Sequence, residues 1–228
     1  MITFDNKIGA GDVIAVGDIH ARYDLFELFL DHVRGTEAIV ILLGDIIDRG
    51  GQDLQVLNKV CELLEDPEKE GLSNLFCLMG NHEAMMVDAF TGPSSSLQLW
   101  LQNGGNFEQY DEMRDHLEWV AELPVYITVN DTMFIHAGCY PGKDPYDAVD
   151  GGRVDNILWM RQPFLTYGPE FEKWNPNLKK MVFGHTPQSK MPYEIPQGLC
   201  IDTGAWQTGV LTSYNMTRDT FTQFQLEV

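Results

Sequence analysis

At 228 residues, 44% of them hydrophobic, the chain has enough apolar material for one sizeable α/β core, which excludes the disordered class. No apolar run approaches the roughly 20 residues of a membrane helix, so no membrane partner is expected. Its 34 acidic and 15 basic residues give a formal charge of −19, whose field repels polyanions and argues against a nucleic-acid partner.

The opening Met1-Ile2-Thr3-Phe4-Asp5 has neither a basic segment nor an apolar signal core, and a cytoplasmic location is the expectation. Cys61, Cys77, Cys139 and Cys200 are far apart without paired zinc spacing and read as reduced thiols. Cys139, three residues after His136, is the thiol placed to feel oxidation. A single domain over residues 1–228 is expected.

In chain order, Val13 to Val16, Ala38 to Leu43 and Leu75 to Met79 are short apolar runs bounded by Gly, Asn or Asp, the pattern of buried strands. Between them, Tyr23 to Val33 and Asp53 to Leu64 carry apolar residues at helical spacing, so the chain starts strand, helix, strand with parallel pairing. Gly92 to Ser96 reads as a loop and helix start ahead of Trp100, and Phe107 to Leu123 as one helical stretch ending before Pro124. Val125 to Val129, Met133 to Ile135, Met181 to Phe183, Leu199 to Ile201 and Val210 to Tyr214 are strand-like, making the second half richer in β structure. Tyr140 to Asp155 and Thr166 to Pro176 read as surface loops beside the site.

Five of these runs lead into clusters of metal-ligand or anion-binding residues: Gly17-Asp18-Ile19-His20, Gly44-Asp45-Ile46-Ile47-Asp48-Arg49-Gly50, Gly80-Asn81-His82-Glu83, His136-Ala137-Gly138 and Gly184-His185-Thr186. Each alone is a weak signal; packing does not explain their recurrence at strand ends. Asp18 and His20, two apart on an extended backbone, point to one side and can share a cation. Asp45 has two oxygens and can bridge two ions, Asn81 adds an amide oxygen, and His136 and His185 add nitrogens. That nitrogen and oxygen mixture suits Mn²⁺, Fe²⁺ or Zn²⁺ better than Ca²⁺. A pair of such ions would activate a water for in-line attack on phosphorus. His82 is a candidate general acid oriented by Asp48, and Arg49 and Arg161 offer forked donors to phosphate oxygens.

Other polar and aromatic residues have blander readings. His32 and His116 read as surface or satisfied core residues, and Asp48-Arg49 has the alternative of a structural ion pair. Trp100, Trp119, Trp159, Trp174 and Trp206 read as core or loop anchors. Glu83 suits the first turn of a helix as well as it suits substrate.

The first three clusters resemble, in order, the signature blocks of the phosphoprotein phosphatase family within the calcineurin-like metallophosphoesterases. Together with Phe134-Ile135-His136-Ala137-Gly138, Leu158-Trp159-Met160-Arg161, Val182-Phe183-Gly184-His185-Thr186-Pro187 and Ile201-Asp202-Thr203-Gly204-Ala205, they look most like the bacterial and bacteriophage lambda-type serine/threonine phosphatases. The resemblance implies an α/β fold with a central β-sandwich flanked by helices. It also implies two divalent ions, Mn²⁺ being the usual one: Asp18, His20 and Asp45 at one, and Asp45, Asn81, His136 and His185 at the other. His82 with Asp48 would be the acid pair, and Arg49, Arg161 and Asn81 would meet the phosphate. Ala21, Ala137 and Phe183 depart from the eukaryotic pattern, which argues against a eukaryotic-type regulatory partner.

The implied activity is metal-dependent hydrolysis of phosphoserine and phosphothreonine in proteins, with phosphotyrosine as a further substrate class. A symmetrical diadenosine tetraphosphate hydrolase shares the same signatures and the Trp-x-Arg element. A noncatalytic phosphoprotein-binding module is the reading from another class.

Overall fold

Alternation along the buried strands sets up three apolar layers. The computed structural model describes residues 2–4, 11–152 and 154–226. Met1 and Asp5 of the opening segment, and Arg153 in the stretch beginning at Tyr140, lie outside the described residues. The strands are β1 Ile2–Phe4, β2 Val13–Val16, β3 Ile39–Leu42, β4 Asn74–Cys77, β5 Tyr126–Val129 and β6 Thr132–Ile135. They continue with β7 Lys180–Phe183, β8 Tyr193–Ile195, β9 Gly198–Cys200, β10 Leu211–Asn215 and β11 Thr220–Phe224. One sheet has the order β11-β10-β2-β3-β4 and the other β1-β5-β6-β7-β9-β8.

Because successive side chains on a strand point to opposite faces, Val13, Ala15, Ile39 and Ile41 pack in one cluster with Ile127, Phe134, Val182 and Leu199 of the second sheet. That shared cluster makes the pair of sheets a sandwich. The other residues of the same strands, Ile14, Val16, Val40 and Leu42, meet the helices. Helix α1, Tyr23–Val33, turns Leu25, Phe26, Phe29, Leu30 and Val33 inward, and α2, Asp53–Glu65, turns in Val56, Leu57, Val60 and Leu63. Each such side chain contributes about 1.5–3 kcal/mol when fully buried. On the far face of the second sheet, Met133, Ile135, Met181 and Phe183 pack with Met160, Phe164 and Phe171.

Register places the site. Val16, Leu42 and Cys77 lie side by side across the parallel strands β2, β3 and β4, so the three loops that follow open at one edge. In the second sheet β6, β7 and β9 are likewise parallel, and His136, His185 and Asp202 follow their ends.

Several sequence expectations need correction. The stretch from Phe107 is not one helix: it alternates 3₁₀ turns at 107–109 and 114–116 with helical turns at 110–113 and 117–121. Phe107, Tyr110 and Met113 recur every third residue, a spacing that lines up side chains on a 3₁₀ turn better than on an α-helix. The helix expected from the Gly-Pro-Ser stretch begins inside it, as α4, Ser94–Gln102, following α3, Asn81–Thr91. The stretches beside the site are not plain surface loops. They hold helical turns at 145–150, 155–158, 164–167 and 171–173, and Phe171 is fully buried. Strands β1, β8 and β11 were not among the expected strands: all three are edge strands, β1 spans three residues, and β8 and β11 bury little apolar surface.

Candidate metal and phosphate site

Six residues around the strand ends, His20, Ala21, Asp45, Asp48, Arg49 and His185, have positive φ without being glycine. A left-handed conformation of this kind costs on the order of 1–3 kcal/mol per residue and persists only where the surroundings impose it. Asp18 and His20 therefore do not converge by strand alternation as expected. The strand ends at Val16, and the left-handed turn at His20, with φ of 47°, aims the imidazole.

Asp45 is the centre. Its Oδ2 lies 3.6 Å from His20 Nε2 and 3.9 Å from His82 Nε2, and its Oδ1 lies 3.4 Å from His136 Nε2. Two compact groups share it, His20 with Asp45 and His82, and Asp45 with His136 and His185. Asn81 Oδ1 and His185 Nδ1 complete the second group at 3.0 and 3.2 Å from His136 Nε2. A glycine at 80 is required here, since a Cβ would collide with the Asp45 carboxylate.

Those donors fit a cation. His20 Nδ1 is bonded to Ile47 O at 3.0 Å and His136 Nδ1 to Leu43 O at 2.9 Å. Each ring thereby donates its one proton to a carbonyl and turns an Nε2 lone pair inward. His136 Nε2 and Asn81 Oδ1 are then two acceptors facing each other, which is favourable only around a positive charge. His82 Nε2 and His185 Nε2 are buried without a hydrogen-bond partner, where an unsatisfied group costs about 1–3 kcal/mol. Burial above all keeps three of the four imidazoles neutral: His20 falls to about 3, His185 to about 2, and His136 is lowered too. Neutral imidazoles are the form that binds metal.

Two carboxylates show the converse, while Asp45, although buried, is held below the usual carboxylate range by the four histidines around it. Burial first, then the charges of Asp202 and Asp45, raises Asp18 well above the carboxylate range. Burial likewise lifts Asp202 to about 7. Among the described residues Asp18 is not in either compact group. Its two oxygens instead take the His185 N–H, at 3.0 and 3.2 Å, so it braces the loop that carries His185.

His82 Nδ1 lies 2.6 Å from Asp48 Oδ2. Burial opposes a charged His82, yet Asp45 and the bonded Asp48 outweigh it and hold its pKa above the usual value. Trp100, expected to be an anchor only, is buried and also donates to Asp48, at 2.9 Å to Oδ2 and 3.1 Å to Oδ1. Asp48 and Arg49 do not form an ion pair with each other. Arg49 is exposed, with Nη1 2.7 Å from His20 Nε2 and its guanidinium 5.4 Å from the Trp206 ring centre. Arg161 is also exposed, and its charge disfavours protonation of His136 and His185. The Trp159 ring stands edge-on to His185 at 5.8 Å.

Glu83 resolves toward structure. Its carboxylate takes the N–H groups of Asp45, Ile46 and Gly80 at 2.7, 2.9 and 2.9 Å, tying the β3 loop to the start of α3. Asp202, which the sequence motifs assign no role, follows β9 as the other site residues follow their strands. Asp53, buried in the first turn of α2, fixes the Asp48 N–H at 2.6 Å. His32 is exposed, while His116 is buried and accepts the Trp119 indole at 3.1 Å. Cys139 is buried, and burial pushes its thiol up to about 12, which leaves little reactive thiolate.

The profile of the calcineurin-like phosphoesterase family matches residues 11–207. Serine/threonine-protein phosphatase 2 of Escherichia coli K12 is 30% identical over 88% of this chain and 91% of its own length. The symmetrical bis(5'-nucleosyl)-tetraphosphatase of Pseudomonas syringae pv. tomato is 28% identical over 73% of this chain and 56% of its own. Shewanella-like protein phosphatase 1 of Plasmodium berghei is 25% identical over 59% of this chain, which spans 41% of that protein. Among solved structures, the cold-active protein-tyrosine phosphatase of a psychrophilic Shewanella species superposes with a TM-score of 0.66 at 18% identity, over 99% of this chain and 82% of that one. At that identity the likeness concerns the fold alone. No helix among the described residues is long and apolar enough to cross a membrane.

Proposed function

The chain belongs to the calcineurin-like phosphoesterase family, and on that premise we propose that it is a metal-dependent phosphomonoesterase acting on phosphoserine and phosphothreonine in cytoplasmic proteins, with phosphotyrosine as a further substrate. The observation that carries the reading is the 2.6 Å bond from His82 to Asp48 beside the donors gathered around Asp45. A proton donor and a cation-binding cluster in one buried edge are what ester cleavage at phosphorus needs.

In this reading His20 and Asp45 would hold one ion, with Asp18 joining them by turning an oxygen from the His185 N–H, and Asp45, Asn81, His136 and His185 would hold the other. When bound, the ions lower the pKa of water and offset phosphate charge; Mn²⁺ suits the donors, as do Fe²⁺ and Zn²⁺. Arg49 and Arg161 grip the phosphate oxygens from the rim, where Asn81 adds its amide. His82 gives its Nε2 proton to the leaving oxygen as the ester P–O bond breaks and a water oxygen forms the new one. Its Nδ1–H stays on Asp48 throughout, and an alcohol and inorganic phosphate depart.

Coverage of nearly the whole length of the Escherichia coli phosphatase supports a protein substrate. The charge of −19 adds to this, since it attracts peptides with basic flanks and repels a polyphosphate. The second reading, hydrolysis of diadenosine tetraphosphate, is kept because of the Pseudomonas relative. Metal-stripped protein is assayed on para-nitrophenyl phosphate, a phosphothreonine peptide and diadenosine tetraphosphate, with and without Mn²⁺. Mn²⁺-dependent release from the peptide is expected. Preference for the dinucleotide transfers the assignment to nucleotide hydrolysis, and silence on all three leaves a binding module.

A further inference from the structure

We propose that Trp100 is a positioning residue for proton donation: its indole N–H fixes the Asp48 carboxylate so that His82 presents Nε2 to the leaving oxygen. The inference rests on the phosphomonoesterase reading above and adds a third member to the acid pair.

Trp100 has no solvent exposure, so its N–H cannot fall back on water and must find an acceptor inside the protein. The acceptor is a carboxylate already bonded to another group. Asp48 Oδ2 takes His82 Nδ1 at 2.6 Å and Trp100 Nε1 at 2.9 Å, while Oδ1 takes the same indole at 3.1 Å. The two donors come from different helices, α3 and α4, and together they fix both the position and the plane of the carboxylate. Its backbone is fixed as well, by the Asp48 N–H on Asp53 and a left-handed φ of 69°.

The indole itself has no freedom. Gly105 packs so closely that a Cβ there would meet the ring carbons. Phe90 and Tyr110, stacked on each other at 4.1 Å, lie 6.5 and 5.9 Å from it. Packing accounts for an aromatic at this position; it does not account for the N–H being aimed at the carboxylate bonded to the His82 ring.

A residue that orients the acid matters most when the leaving group needs a proton. An alkoxide from phosphoserine does, whereas para-nitrophenolate departs without one. Trp100→Phe removes the donor and keeps an aromatic body. We expect its kcat on a phosphoserine peptide to fall about tenfold, with KM held and kcat on para-nitrophenyl phosphate changed less than about twofold. Phe90→Leu disturbs the same packing with the N–H in place and is expected to leave the ratio of the two rates unchanged. Equal loss on both esters, no loss on either, or the same split in Phe90→Leu overturns the proposal.

Should Trp100→Phe not fold, ¹⁵N-indole labelling of the wild-type protein decides the contact. The Trp100 indole proton is expected to be the most downfield and slowest to exchange among the five tryptophans. Exchange as fast as that of the exposed Trp206 overturns the proposal. Wild-type protein idle on both esters would instead remove the phosphomonoesterase reading, with the labelling experiment still deciding whether Trp100 holds Asp48.

Discussion

Nη1 of Arg49 lies 2.7 Å from Nε2 of His20, the lone pair that the Ile47 carbonyl leaves free by taking the proton on Nδ1. One guanidinium thus sits on a nitrogen that a cation would use. Arg49 must release His20 when a divalent ion binds, and is then free to meet a phosphate. Arg49→Ala should bind Mn²⁺ more tightly than the wild type by calorimetry. Its KM for para-nitrophenyl phosphate should rise roughly 10- to 100-fold, the value of a hydrogen bond to a charged group. Equal Mn²⁺ affinity in the two proteins would show that Arg49 and metal do not compete.

Trp206 is exposed and carries the Arg49 guanidinium 5.4 Å from its ring centre. At such a site a cation–π contact is worth about 0.5–1 kcal/mol. Trp206→Leu should therefore raise KM about two- to fivefold with little change in thermal stability, and Trp206→Phe should recover most of the loss. A leucine variant with wild-type KM removes the ring from any part in holding Arg49.

Glu83→Gln replaces two acceptor oxygens by one and points an amide N–H₂ at three buried backbone donors, those of Asp45, Ile46 and Gly80. At least one donor is stranded, at a cost of about 1–3 kcal/mol. Urea unfolding at neutral pH should show that loss, and activity should fall further because Asp45 is no longer held. Unchanged urea stability would mean that another group satisfies these N–H groups.

Stability should fall in acid in two stages. Burial depresses the pKa of His116. Because the unfolded chain binds that proton more readily, the contribution of His116 is present above its ordinary value of 6.5 and begins to be lost below it. Glu70, bonded first to Arg34 and then to Lys59, both at 2.6 Å, is held below the ordinary 4.5. Its contribution is present above 4.5 and vanishes as pH drops through the depressed value. Glu70→Gln should be less stable than the wild type at pH 7 and indistinguishable from it once both glutamate forms are protonated. A gap that persists in strong acid would exclude the ion pairs as its source.

What could be read from sequence was what strand ends impose. The runs into Asp18, Asp45, Asn81, His136 and His185 are buried strands, and the residues just past them are delivered to one edge by register. The same signal was available for Asp202 after β9. The left-handed turns at His20, Asp45 and His185 were not legible, because sequence associates positive φ with glycine and these side chains are held there by tertiary contacts. Nor was the Trp100 contact with Asp48, since an apolar residue in a helix gives no sign of an acceptor 52 positions earlier. The edge strands β8 and β11 and the broken segment at 107–121 lack the buried periodicity that sequence reading depends on, and β1 spans only three residues.

The sheet order also has a temporal side. β2, which leads into Asp18 and His20, has β10 as one of its two neighbours, and β10 is synthesised long after it. The second sheet, which supplies His136 and His185, is complete only once β9 has emerged. A growing chain on the ribosome therefore displays its first three motifs while their sheet still lacks two strands. The centre is thus completed late in synthesis, after the strands of both sheets have emerged.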